Sequence, residues 1–333
     1  MTIDMHAHYV PPTLVEAVEA GIPDVPSVSV ITEGEQEHRF KLGDASATRP
    51  LPGGLVDVDR RLQWMEENGI DVQVVAPWVD VFGYKLLPDE GIAWSRLLND
   101  VLREAVGASY RFVGLASVPM QEPEAAAETL AEAMAAGFPG VMIATRVNED
   151  ELDSPSFEPF WAAASELEAV VFLHPGFGGG DDRLGTFGLV NAAGRVQDTT
   201  ITAARLLYAG VPTRFAGAKI VLSHGGGALP FVLGRLARNY SLDPESMSDP
   251  NEGFERLYFD SVVFDPEALR LLLEKAQPGH VMMGSDYPFP IGDLAPQRVI
   301  EQLSPDESEA NRILQGTASS LFLSKGQSEN EGG

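Results

Sequence analysis

Ile3-Asp-Met-His-Ala-His8 opens the chain with two histidines separated by one residue. Alternate side chains of a β-strand point the same way, so His6 and His8 face one side and can address a single ion. Short apolar runs of the same kind recur at residues 72–77, 112–119, 141–146, 170–174, 219–224, 257–262 and 281–286. Runs that are apolar at nearly every position fit strands buried on both faces. Their alternation with amphipathic stretches predicts an α/β protein of repeated βα units, a (β/α)8 barrel of TIM type.

Helix signals fill the intervals. Residues 57–67 place Leu62 and Met65 on one face and stop at Asn68-Gly69. Residues 123–136 open with Pro123 and stop at Gly137. Asp198 is placed to cap a helix over 199–209 that Gly210 closes, and Asp265-Pro266 opens another that runs to about residue 275. Two segments depart from the repeat. About 45 residues separate the first strand from the first helix, too many for an ordinary βα loop, and 20–55 reads as an insertion, a small hairpin over the barrel mouth. GFGGGDDRLGTFG at 176–188 reads as a mobile flap; without a GK[ST] ending it is no phosphate loop. Residues 1–324 form one expected domain, and the polar stretch 325–333 an expected disordered tail.

Charge and composition limit the partners. The chain has 333 residues, 23 Lys+Arg against 49 Asp+Glu, and a formal net charge of −26, which repels nucleic acid and anionic membranes. There is no cysteine, which excludes disulfides and thiolate ligands and suits a reducing cytoplasm. No signal-peptide pattern opens the chain and no run of about 18 apolar residues occurs, so a soluble cytoplasmic protein is expected.

Four of the six histidines (His6, His8, His174 and His224) fall at the ends of predicted strands, and Asp286 ends the eighth. A barrel gathers those ends around one pocket. Imidazole nitrogens with a carboxylate oxygen suit zinc, and also iron or manganese. His38 lies in the insertion, and His280 precedes the eighth strand at the opposite end; both read as structural or solvent-facing. The fourth strand, GVMIATRV, has no lysine that could be carboxylated to bridge two ions, so one metal is expected.

Several motifs together carry a family resemblance. IDMHAH (3–8), GIDVQVVAPWV (69–79), RFVGLASVPMQEPE (111–124), GFPGVMIATRVNEDEL (137–152), FLHP (172–175), VLSHGGGALPFVLGR (221–235) and MGSDYPFPIGDL (283–294) span nearly the whole chain apart from the insertion and the tail. The chain resembles the amidohydrolase-related decarboxylases typified by 2-amino-3-carboxymuconate-6-semialdehyde decarboxylase. The resemblance implies one zinc held by His6, His8, His174 and Asp286, with His224 as the base beside it. It further implies that Arg49 and Arg235 bind substrate carboxylate, Arg235 reaching in from the partner of a homodimer, and that Phe289 lines the pocket. The implied reaction is non-oxidative loss of CO2 from an aromatic or unsaturated, muconate-type acid, with protonated His224 or Asp286 delivering the proton. The alternatives are a metal-dependent hydrolase or hydratase of a lactone or unsaturated diacid, and a non-catalytic binding protein. One departure bears on the substrate: where the carboxymuconate enzyme has two tryptophans, this chain has Gly176 and Gly188, with Phe177 and Phe187 beside them.

Overall fold

The structure is a computed structural model that describes residues 1–33, 37–176 and 181–323. Its strands are β1 (Ile3–His8), β2 (Val28–Glu33), β3 (Glu37–Leu42), β4 (Val72–Ala76), β5 (Phe112–Gly114), β6 (Gly140–Ala144), β7 (Arg146–Val147), β8 (Asp150–Glu151), β9 (Val170–His174), β10 (Lys219–Leu222), β11 (Tyr258–Asp260) and β12 (Val281–Met282). Eight of them form the parallel barrel, in two sheets of order β1-β4-β5 and β6-β9-β10-β11-β12. Parallel bridges Ala116↔Val141 and Ala7↔Tyr287 join the sheets at both seams. The first seam adds Ala116 N to Gly140 O (3.0 Å) and Met142 N to Ala116 O (3.0 Å). The second adds Met5 N to Met283 O (2.9 Å), Asp286 N to His6 O (2.8 Å) and His8 N to Tyr287 O (2.8 Å). Backbone groups on both sheet edges are thereby satisfied and the barrel closes. Gly140 permits the tight start of β6, since a Cβ there would lie 1.9 Å from the Val170 carbonyl oxygen.

The main helices are α1 (Pro12–Ala20), α2 (Val58–Glu67), α3 (Pro88–Gly107), α4 (Pro123–Ala135), α5 (Glu158–Glu166), α6 (Arg195–Tyr208), α7 (Leu229–Tyr240), α8 (Pro266–Lys275) and α9 (Gln297–Leu303). From α2 to α8 each delivers the chain to the next barrel strand. The caps expected at Asp57 and Asp265 form: Asp57 accepts from Arg60 N, and Asp265 from the amides of Glu267 and Ala268. Asp198 does not cap. A π-turn at Val190–Gly194 runs into α6, so the helix starts at Arg195 and Asp198 lies in its first turn, accepting from Thr145 Oγ1 at 2.5 Å. Helix α1 stands where the sequence reading expected loop; Leu14, Val15 and Val18 make its buried face. It shares a hydrophobic cluster with Val28, Phe40 and Leu42 of the antiparallel β2–β3 hairpin and with Trp78 and Trp94. Residues 325–333 lie outside the described residues, as does part of the 176–188 loop.

Beneath the barrel mouth, β1 is buried at every position, Asp4 included. Asp4 accepts from Ser285 N (2.9 Å), Ser285 Oγ (2.5 Å) and Gln73 Nε2 (2.8 Å). Gln73 Oε1 in turn accepts from Arg61 Nη1 at 2.7 Å. Arg61 is wholly buried; it also donates to the carbonyls of His8 and Gly54, and its guanidinium lies 5.0 Å from the Tyr9 ring centroid and 4.8 Å from that of Tyr287. The amide of Gln73 thus relays between a buried cation and a buried carboxyl group while both sit in the core. Arg61→Leu leaves Gln73 Oε1 and the His8 carbonyl short of a donor and is expected to lower stability by about 3–5 kcal/mol, read by urea denaturation; a loss below about 1 kcal/mol would contradict this account.

A buried metal centre at the barrel mouth

His6 and His8 project from β1, His174 from the last position of β9, and Asp286 from the turn after β12. One ligand atom from each lies within 4.8 Å of every other. Asp286 Oδ1 is 3.1 Å from His8 Nε2, 3.4 Å from His6 Nε2 and 3.9 Å from His174 Nε2. These three Nε2 atoms and Asp286 Oδ1 are buried and have no hydrogen-bond partner. Buried polar atoms are normally satisfied, and four unpaired ones converging on one point fit a divalent cation.

Two of the opposite ring nitrogens are held. His6 Nδ1 is 2.6 Å from Asp260 Oδ2, and His174 Nδ1 is 3.0 Å from the Pro175 carbonyl oxygen. A donor hydrogen at Nδ1 leaves the Nε2 lone pair for the ion and fixes the ring plane. Asp260 also accepts from the amides of His224 (2.9 Å), Gly225 (2.8 Å) and Val262 (3.1 Å). One buried carboxylate therefore sets both a ligand and the loop that carries His224.

His224 Nε2 lies 3.5 Å from Asp286 Oδ2. Both residues have left-handed backbones, φ 54° at His224 and φ 59° at Asp286. Such conformations cost side-chain-bearing residues about 1–3 kcal/mol each. They turn the chain out of its strand, which is why β10 and β12 end before the expected limits of 224 and 286. Gly225, Gly226 and Gly227 continue the turn at positive φ.

Electrostatics match ligation. Burial drives the His8 imidazolium down to about 4 and that of His174 well below its usual range, so both rings are neutral at pH 7. Burial would raise the Asp286 carboxyl, but the imidazoles around it, His6 foremost, hold it well below the carboxylate range. At His6 burial opposes the charge, yet Asp286 and Asp260 outweigh it and raise the ring to about 10.

A cavity of about 590 Å3 opens above the cluster, walled by His174, His224 and Asp286 and, farther out, by Arg49, Arg195 and Phe289. Arg49 donates to Asp80 from Nε (3.3 Å) and Nη2 (3.4 Å) and lies over the Trp78 ring. Phe289 packs against His8, ring centroids 5.2 Å apart. Arg235 is exposed on α7 and does not line the cavity of its own chain. Phe187 is 94 % exposed, and Phe177 lies outside the described residues. His38 and His280 stand apart from the metal centre, contacting Thr32 Oγ1 and the Leu257 carbonyl. Sequence reasoning missed Asp260, although an acid ending an otherwise apolar run is the same signal that singled out Asp286. It also missed Arg195, Asn191 and Asp80, which carry no such mark.

Ligation requires a neutral His6, so cation uptake must displace its proton. Because the ring stays protonated up to about pH 10, apparent affinity should rise with pH from neutrality, with about one proton leaving per cation. Calorimetry in buffers of different ionisation enthalpy measures this; uptake without proton release would refute it. Asp260→Asn keeps the shape but loses the charge behind His6 and should weaken metal affinity about 10–100-fold.

The amidohydrolase family model matches residues 3–323. 2-Amino-3-carboxymuconate-6-semialdehyde decarboxylase of Dictyostelium discoideum is 31% identical over 283 residues, covering 83% of this chain and 79% of that protein. 6-Methylsalicylic acid decarboxylase of Penicillium expansum is 28% identical over 344 residues, covering 96% and 95%. Among solved structures, 5-carboxyvanillate decarboxylase from Novosphingobium aromaticivorans, complexed with manganese and 4-hydroxy-3-methoxy-5-nitrobenzoic acid, superposes with a TM-score of 0.77 at 20% identity, covering 97% of this chain and 96% of that one. At that identity the superposition establishes the barrel fold alone. With the family model matched from β1 to beyond α9, the chain belongs to the amidohydrolase family.

Proposed function

We propose that this protein is a metal-dependent non-oxidative decarboxylase of an aromatic or muconate-type carboxylic acid. The observation that carries the reading is the buried His6–His8–His174–Asp286 cluster with His224 beside it, opening into a cavity walled by two arginines. The relatives reported above are themselves named as decarboxylases of such acids.

A divalent cation held by the four residues supplies Lewis acidity that polarises a substrate oxygen or acidifies a water. We assign that cation as a single zinc, on the nitrogen-rich ligand set; manganese, present in the solved relative, suits the same atoms. The remaining chemistry belongs to the protein. His224 holds the proton next to Asp286 and passes it to the ring or ene carbon that bears the carboxylate. The bond from that carbon to the carboxylate then breaks, its electron pair returns to the conjugated system, and CO2 leaves; R–COO⁻ and H⁺ become R–H and CO2. Asp286 both ligates the cation and steers His224. Phe289 lines one side of the substrate, and Arg49 faces its carboxylate from the wall.

We also read residues 1–324 as one domain, with 20–55 as its insertion over the barrel mouth, and the working protein as a cytoplasmic homodimer. The exposed face of α7, with Arg235 and an 81 % exposed Phe231, supports a second copy there. Among the described residues no helix is long and apolar enough to cross a membrane.

Assay of the zinc- or manganese-loaded protein across hydroxybenzoates and muconate semialdehydes tests the reading, with CO2 release as the signal. His224→Gln is expected to lower kcat about 10²–10⁴-fold with metal content unchanged. A product that gains one water and releases no CO2 would replace this reading with a hydrolase or hydratase.

A further inference from the structure

The chain between β11 and α8 is pinned at both ends. At its start Val262 donates its amide to Asp260 Oδ1 at 3.1 Å, and Val263 packs against the turn at Gly225. At its end Asp265 caps α8, accepting from the amides of Glu267 (2.9 Å) and Ala268 (3.0 Å). Between these anchors stands Phe264, whose backbone is left-handed with φ 61°. Glycine or asparagine adopts that conformation readily, whereas a bulky aromatic residue is a steric outlier there. The ring does not offset the strain by filling the core, because Phe264 is 56 % exposed. It stands instead in the wall of the metal cavity, beside Val262, Val263, Ala268 and the 44 % exposed Ile291. These side chains follow the adjacent strands β11 and β12 and make one apolar sector of the wall.

We infer that Phe264 is a specificity-determining residue whose ring closes over the apolar body of the substrate. The inference rests on the decarboxylase reading and deepens it. The metal centre and His224 serve the reacting end of the acid, and the Phe264–Ile291 sector receives its hydrocarbon. In the free protein the exposed ring gains nothing from its strained placement. A ligand that covers it removes apolar surface from water, and a flat ligand adds stacked or edge-to-face contact. Backbone strain that persists at a cavity wall marks a side chain held where it is used. Phe264 therefore discriminates between acids by the apolar surface they carry and leaves recognition of the carboxylate to other groups.

Acetate and benzoate, one carboxylate without and with an aromatic body, serve as probes of the zinc-loaded protein by calorimetry. Phe264→Asn should weaken benzoate binding about 3–10-fold, the loss of one aromatic contact, while acetate binding and zinc content hold. The same variant should melt at an unchanged or higher temperature, because asparagine relieves the left-handed strain. Phe264→Tyr, which keeps the ring, should keep the benzoate affinity. Benzoate binding that survives Phe264→Asn, or acetate and benzoate weakened equally, would overturn the inference. A lowered melting temperature would do the same, since it would make the ring a packing element. So would dissociation of an oligomer by Phe264→Asn with benzoate affinity intact, read by sedimentation, which would assign the ring to a subunit contact. Should Phe264→Asn fail to fold, Ile291→Ala reports on the same sector and should likewise weaken benzoate and spare acetate. CO2 release is scored separately. A benzoate preference that depends on Phe264, without CO2 from any acid tried, would sink the decarboxylase reading and leave the apolar wall standing.

Discussion

A carboxylate at the end of the seventh barrel strand governs the geometry of this site. Asp260 is wholly buried, and four hydrogen bonds converge on its two oxygens: one from the His6 ring and three from the amides of His224, Gly225 and Val262. Such a group is tolerable in a protein interior only when its lone pairs are filled. The filling is what connects the ligand on β1 to the strained turn after β10. His224 could not hold a left-handed backbone for long unless its amide were pinned, and His6 could not present Nε2 reliably unless Nδ1 were engaged. The buried carboxylate draws further on its neighbours: burial would raise it, but the His6 interaction pulls it below its ordinary range, so it stays charged.

The core around β1 is therefore layered by charge. At the bottom of β1, Asp4 is pushed up to about 6 by burial despite donors from Ser285 and Gln73, and the buried Arg61 stands beyond Gln73. One step up come His6 with Asp260, and then the convergence of imidazoles on Asp286. The segment Ile3–His8 reaches these layers by breaking its own period: the β1–β4 register shifts between Asp4 and Ala7, so Asp4 turns to Gln73 and Arg61 of α2 while His6 and His8 turn to the metal centre. Ile3 and Met5 share an apolar cluster with Phe172, Val221 and Met282, and Ala7 joins another.

The parts of this architecture legible in the sequence are those in which a residue contradicts its local background. Histidines and an aspartate ending runs of Val, Ile, Leu and Met stand out, and barrel topology explains why they meet. Arg61 was illegible because an arginine on an amphipathic helix reads as solvated; only the fold reveals that this face of α2 abuts β1 and the Asp286 turn. Helix α1 escaped notice because its three apolar positions were absorbed into an overlong loop, although Pro12 and the Leu14/Val18 spacing mark a short helix. Arg195 stayed hidden for a related reason. Asp198 followed by threonines imitates a cap, and the true helix start lies upstream, through a π-turn that single-residue propensities do not signal.

The two seams of the barrel give the metal centre a mechanical meaning. His6 and His8 belong to the three-stranded sheet, whereas His174 and Asp286 issue from the five-stranded one. The sheets meet through isolated bridges and a few hydrogen bonds, without the continuous ladder that binds strands within each sheet. An ion ligated from both sides is a rivet through the joint. It binds the closed barrel and not one parted along Ala7–Tyr287, so its binding free energy adds directly to the cohesion of the joint. Metal affinity and the stability of the closed barrel would thereby be linked through the same four side chains.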